Sequence, residues 1–198
     1  MIHDDHIHLR NHIAPPAPHE LAAVLDHARS REITPGIREH PPLPEKLRIG
    51  PHEDYCYAMR IWETEDFLRQ FKTENHPVGF EVDYIAGYEE EIAAIMKDLL
   101  STASEMGVRV SGIHGSVHLL PGDIADVEWP KGDIRHVVWD LQESVFERYI
   151  KDRGPKRMIQ DYFGAMLDMI DATDFDCLSH LDVIRKFDRR NSSGESIY

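Results

Sequence analysis

Apolar and polar residues follow two patterns along this chain: short β-like runs and longer stretches with helical spacing. Five runs have strand character, and they cover residues 2–9, 32–40, 76–85, 108–120 and 175–184. The second run is a weak strand because Pro35 and Gly36 interrupt it. The pattern therefore predicts a sheet of about five strands.

Between these strands, apolar residues recur at the three- and four-residue spacing of amphipathic helices. The predicted helices cover residues 18–32, 56–72, 88–107, 141–151 and 158–171. In the first of them Leu21, Val24, Leu25 and Ala28 form the apolar face, and Gly107 is a natural C-cap for the third. Alternating strands and helices favour an α/β fold with a parallel sheet, either a barrel or a doubly wound sheet.

Several potential metal ligands stand in or just after the predicted strands. They are His6, His8, His40, Glu81, His118 and His180. The carboxyl ends of neighbouring parallel strands meet at one rim, so we expect these side chains to converge there. Imidazole and carboxylate groups suit Zn, Fe or Mn, which predicts a metal site. For the N-terminal stretch DDHIHLRNH taken alone, a solvated histidine-rich segment without an ion remains the alternative.

Composition narrows the functional classes. The 198 residues suffice for one domain, and a formal net charge of −14 disfavours nonspecific binding to a nucleic-acid backbone. We find no run of eighteen apolar residues and no signal-peptide pattern at the N-terminus. Cys56 and Cys177 form no local motif, which fits a reducing cytoplasm. The expected partner is a small molecule, with neither nucleic acid nor membrane.

Five segments, in this order, carry a resemblance to a known family: DHIHL, EHPPLP, GFEVDYIAGYEEEI, GSVHLL and FDCLSHLDVIRKF. Together they resemble the PHP (polymerase and histidinol phosphatase) superfamily, and most closely its histidinol-phosphate phosphatase branch. The resemblance spans residues 5–187. It implies a distorted (β/α)7 barrel whose rim holds two or three divalent metal ions (Mn, Fe or Zn) and hydrolyses phosphate esters.

The resemblance also implies roles for individual residues. His6 and His8 match the ligand pair of the first motif, and Glu81 matches the glutamate that bridges two metals. The remaining candidate ligands are His40, His118, His180 and His12, the last as a substitute for a third histidine of the first motif. A metal-activated hydroxide would be the nucleophile, and no catalytic side chain is expected.

The family continues for two more strands, the last of which carries an Asp-x-His ligand motif that this sequence lacks. We therefore expect an incomplete barrel with about five parallel strands, a domain over residues 1–187 and a polar tail over 188–198. Three explanations stay open: a naturally shortened member of the family, one piece of a longer protein, or a homo-oligomer that covers the open barrel edge.

Three functions remain open at this point. The first is a phosphomonoesterase acting on a substrate like histidinol phosphate. The second is a catalytically impaired metal-binding or partner-binding remnant of such an enzyme. The third, an exonuclease-like or regulatory module, is disfavoured by the strong negative charge.

Overall fold

The central element of the fold is a curled sheet of five parallel strands. The computed structural model describes residues 2–9, 20–48, 58–122, 136–140 and 143–187. The sheet contains β1 (Ile2–Ile7), β2 (Ile33–Glu39), β3 (Val78–Asp83), β4 (Val110–Ser116) and β7 (Cys177–Leu178), in that spatial order. Strand order follows chain order, and the sheet curls as a half-barrel. The predicted α/β class and the five parallel strands are confirmed.

Helices surround this half-barrel between the strands. They are α1 (Leu21–Ser30), α2 (Glu45–Arg48), α3 (Thr64–Glu74), α4 (Glu89–Glu105), α5 (Glu143–Arg153) and α6 (Pro155–Ala172), with short 3-10 helices at Ile61–Glu63 and Val183–Arg185. Among the described helices, none combines the length and the apolar character needed to cross a membrane.

The two faces of the sheet differ in polarity, as β3 shows. Val78 and Phe80 are fully buried in the core between sheet and helices. Because side chains alternate along a strand, Gly79 and Glu81 belong to the opposite, concave face. A sheet covered by helices is usually apolar on both sides, whereas here the concave face carries buried charge.

Arg38 forms hydrogen bonds to neighbouring strands on the concave face, below the rim. Its Nη2 donates to Asp5 Oδ1 at 2.9 Å, and its Nη1 donates to Ser111 Oγ at 2.9 Å. Its Nε donates to His114 Nε2 at 3.1 Å. The side chain passes over Gly79, where an added Cβ would lie 2.3 Å from Arg38 Nη1. The guanidinium group therefore connects β1, β2 and β4 across the glycine of β3.

The region after β4 differs from the sequence prediction. The strand predicted at 108–120 ends at Ser116, and β5 (Leu119–Pro121) pairs antiparallel with β6 (His136–Val138) in a separate small sheet. β6 was not predicted, because three residues are too few to show a periodic pattern.

Three other element predictions need correction. The strand predicted at 175–184 is reduced to β7, because His180 adopts a left-handed conformation (φ 55°) that ends extended structure. In the described part of the helix predicted at 56–72, helical structure begins at Ile61, because the backbone of Arg60 is extended. Conversely, α2 lies in a segment for which no helix was predicted.

We expect Gly79→Ala to lower the free energy of unfolding by about 1–3 kcal/mol, because the new methyl group collides with the buried Arg38 side chain. Gly164 in α6 provides the matched control, since a Cβ there meets no atom within 4 Å. Gly164→Ala should raise the free energy of unfolding by about 1 kcal/mol through helix propensity. Urea unfolding measures both changes, and stabilisation by both substitutions would contradict the packing of Arg38 over Gly79.

Candidate metal centre

The side chain of Glu81 forms the middle of a histidine cluster at the rim. It is completely buried, and its carboxylate Oε2 lies near three imidazoles. The distances from Oε2 to Nε2 are 2.7 Å for His6, 3.1 Å for His8 and 3.3 Å for His40. His6 and His8 reach the same point because residues i and i+2 of a strand share a face.

The other carboxylate oxygen of Glu81, Oε1, lies near two further histidines. The distances from Oε1 to Nε2 are 3.3 Å for His118 and 3.0 Å for His180. These two residues follow β4 and β7, whereas the first three belong to the ends of β1 and β2. Both oxygens of one buried carboxylate therefore face imidazoles delivered by different strands.

His180 is held in place by α6 and not by a strand. Its φ of 55° is uncommon for a residue with a side chain. The hydroxyl of Tyr162 donates a hydrogen bond to the carbonyl of His180 and so fixes this backbone. Strained conformations of this kind cluster at functional sites, where surrounding structure over-determines them.

Carboxylates behind the cluster orient two of its imidazoles. His118 Nδ1 lies 3.0 Å from Asp140 Oδ2, and His40 Nδ1 lies 3.1 Å from Asp83 Oδ2. A carboxylate at Nδ1 accepts a hydrogen bond from that nitrogen, so that Nε2 would be free to bind a metal ion in place of its own proton. Metal-binding histidines usually show this carboxylate–imidazole pairing.

The electrostatic field of the cluster favours a bound cation. Burial alone would raise the pKa of Glu81, but the field of His40 and hydrogen bonds from neighbouring imidazoles outweigh it. The pKa of Glu81 is therefore held well below its usual range. Burial lowers the pKa of His8, yet Glu39 and Glu81 raise it to about 9. A metal ion would take the place of the protons that this negative field attracts.

The donor set fits divalent metal ions. Ligand atoms lie within 4.8 Å of one another in two groups, His6–His8–Glu81 and His40–Glu81–His118. Two nitrogens that share one cation at about 2.0–2.1 Å each lie roughly 3 Å apart, and the Nε2 atoms of His6 and His8 are 3.1 Å apart. Glu81 belongs to both groups, so its carboxylate is placed to bridge them.

The structure brings most of the predicted ligands together. His6, His8, His40, His118 and His180 all surround Glu81. His180 contacts Glu81 but belongs to neither of the two groups. His12 and the predicted tail over 188–198 lie outside the described residues. That these side chains bind metal stays a prediction.

Sequence reasoning missed the carboxylates behind the imidazoles. Asp83 could have been found, because it stands two residues after Glu81 on the same strand face. Asp140 had no such signal, since it follows β6 in a connection without a recognisable pattern.

Comparison of the chain with protein-family models, with curated proteins and with solved structures gives no match.

We expect Zn²⁺ or Mn²⁺ to raise the melting temperature, because an ion bound only by the folded state adds about 2.7 kcal/mol at 100 times its Kd. Glu81→Gln removes the negative charge that both ligand groups share, and it should abolish this increase in melting temperature. Glu90→Gln, on an exposed residue of α4, is the control and should retain it. Thermal unfolding with and without metal measures the effect, and an unchanged melting temperature for the wild type would contradict the assignment.

We expect Asp140→Asn to weaken metal binding about 10- to 100-fold, because His118 loses the carboxylate that orients it. Asp83→Asn should act similarly through His40. Competition with a chromophoric chelator measures the affinities, with the exposed Asp168→Asn as control. If both the Asp83 and the Asp140 variant bound metal with wild-type affinity, these carboxylates would not be orienting the imidazoles of His40 and His118.

Proposed function

We propose that the protein is a metal-dependent phosphomonoesterase that hydrolyses a small phosphate ester at the rim of the half-barrel. The observation that carries this proposal is the buried Glu81 carboxylate, shared by two groups of potential ligands. Two or three ions of Mn, Fe or Zn are the proposed cofactors. The sequence resemblance makes histidinol phosphate the substrate of choice for testing.

Each of the two ligand groups would hold one ion. His6 and His8 would hold one ion and His40 and His118 another, with Glu81 between them. Divalent cations at such a site polarise a phosphoryl oxygen and lower the pKa of water. Because Asp140 and Asp83 already orient the imidazoles of His118 and His40, these ligands would need little reorganisation when substrate binds.

One side of the cluster is open to a substrate. The side chain of His40 is 1 % exposed, whereas those of His6 and His180 are 23 % and 37 % exposed. The rings of His6 and His180 lie 4.8 Å apart between centroids and form the accessible side. A phosphate group would therefore approach from the side of these two residues, with buried protein behind the centre.

A positive side chain lies close to this centre. Lys186 Nζ is 3.4 Å from Asp140 Oδ2, and its side chain is 46 % exposed. Asp140 in turn contacts His118, so the ammonium group lies near the ligands without being buried. Lys186 is thus a candidate to pair with a substrate phosphate oxygen.

The test is hydrolysis of histidinol phosphate and of p-nitrophenyl phosphate by protein loaded with Mn²⁺, Fe²⁺ or Zn²⁺. We expect metal-stimulated turnover that Glu81→Ala lowers by at least about 1,000-fold, since this substitution removes a ligand from both groups. His3→Ala, on an exposed residue of the same strand as His6, should leave turnover unchanged.

Metal binding and turnover must be measured on the same sample. Bound metal with phosphate release no faster than the background rate would overturn the phosphatase proposal and favour a remnant that only binds metal. Release of nucleotides from a DNA end, without phosphomonoester hydrolysis, would instead identify a nuclease.

A further inference from the structure

The interruption of β2 by Pro35 and Gly36 has a counterpart in the neighbouring strand β1. The two strands pair residue by residue as far as Asp4, which lies opposite Pro35. Pairing resumes at Ile7, which lies opposite Ile37. Three steps along β1 therefore match two steps along β2, which defines a β-bulge with one extra residue in β1. Proline and glycine inside a strand are typical of such positions.

The bulge directs two consecutive side chains of β1 to the concave face of the sheet. Neighbouring residues of a regular strand point to opposite faces. Here Asp5 Oδ1 accepts a hydrogen bond from Arg38 Nη2 at 2.9 Å, on the concave face. The next residue also faces this side, since His6 Nε2 lies 2.7 Å from Glu81 Oε2. The bulge thus brings a carboxylate and a candidate ligand to the same side of β1.

Gly36 leaves the space that the bulged segment occupies. A Cβ at this position would lie 2.2 Å from Asp5 Oδ1, 2.8 Å from Asp5 Cα and 3.0 Å from the Asp5 carbonyl oxygen. Two of these atoms belong to the backbone, so rotating a side chain could not relieve the collision. A side chain at position 36 would therefore push the segment that carries His6 away from β2.

Arg38 contacts the surroundings of His6 at two points. Its side chain is 5 % exposed, and it forms an ion pair with Asp5, the residue directly before His6. Its Nε donates to His114 Nε2 at 3.1 Å, and the His114 ring lies edge-on to the His6 ring at 5.6 Å between centroids. Arg38 therefore restrains both the backbone before His6 and the ring beside it.

We propose that Asp5 and Arg38 are positioning residues that fix the β1 bulge and so aim His6 at a bound metal ion. Bulges near active sites commonly re-aim a side chain in this way. Neither residue belongs to the two groups of candidate ligands, so their effect on the ion passes through His6. This inference rests on the proposed metal centre but not on the proposed phosphatase activity.

The Zn²⁺ affinity of the full chain, measured by competition with a chromophoric chelator, tests the proposal. We expect Asp5→Ala to weaken Zn²⁺ binding about 10-fold, because Arg38 loses its partner and the bulge is no longer held. Asp5→Asn keeps an oxygen that can accept from Arg38, and it should retain the wild-type affinity to within about threefold. If Asp5 acted through its charge alone, the two variants would be equally weak.

Gly36→Ala tests the bulge itself. It should weaken Zn²⁺ binding at least about 10-fold, since the new Cβ displaces the segment that carries His6. Gly122→Ala is the matched control, because its Cβ would lie 2.9 Å from the Tyr149 ring and so strains another part of the core. This control should bind Zn²⁺ with wild-type affinity. Circular dichroism verifies that the variants fold, and the Asp5 variants change a side chain that is 67 % exposed.

The wild type and the variants separate two kinds of failure. A wild-type protein that binds no Zn²⁺ would refute the proposed metal centre, and this inference with it. When the wild type binds Zn²⁺, unchanged affinity in Asp5→Ala or in Gly36→Ala would overturn the positioning role alone. So would an Asp5→Asn variant as weak as Asp5→Ala, or equal losses in Gly36→Ala and Gly122→Ala.

Discussion

The rest of the structure depends on burying one ionised carboxylate, that of Glu81. An uncompensated buried charge costs several kcal/mol, so the side chain is tolerable only with positive or hydrogen-bonding partners on all sides. Five imidazoles supply these partners, and they come from the ends of β1, β2, β4 and β7. The parallel order of the strands is what allows groups so far apart in sequence to meet.

Below this cluster, a second polar layer keeps the positive charge of Arg38 away from the imidazoles at the rim. The Arg38 guanidinium donates to His114, and the ring of His114 lies 5.6 Å from that of His6. Burial, Arg38 and His6 all lower the pKa of His114, so its ring can remain neutral and accept the hydrogen bond. A neutral imidazole thus separates the buried guanidinium from the cluster at the rim.

The most exposed member of the cluster depends on a helix. His180 stands just after a strand of only two residues, and its left-handed backbone is fixed by the Tyr162 hydroxyl. Tyr162 belongs to the buried face of α6, whereas Phe163, Leu167 and Ile170 of the same helix are exposed. The same helix therefore positions a candidate ligand and offers an apolar surface to solvent.

The sequence by itself determined the periodic elements and the choice of donor residues. Alternation over 76–85 predicted β3 with Glu81 in it, and the helical spacing over 88–107 predicted α4 almost to its ends. Only the tertiary structure decided which side chains meet. The antiparallel pair β5–β6, the support of His118 by Asp140 and the turn at His180 arise from contacts between distant segments, which no local pattern encodes. A histidine becomes a candidate ligand here because folding aims its Nε2 at Glu81, and that direction is a property of the assembled sheet.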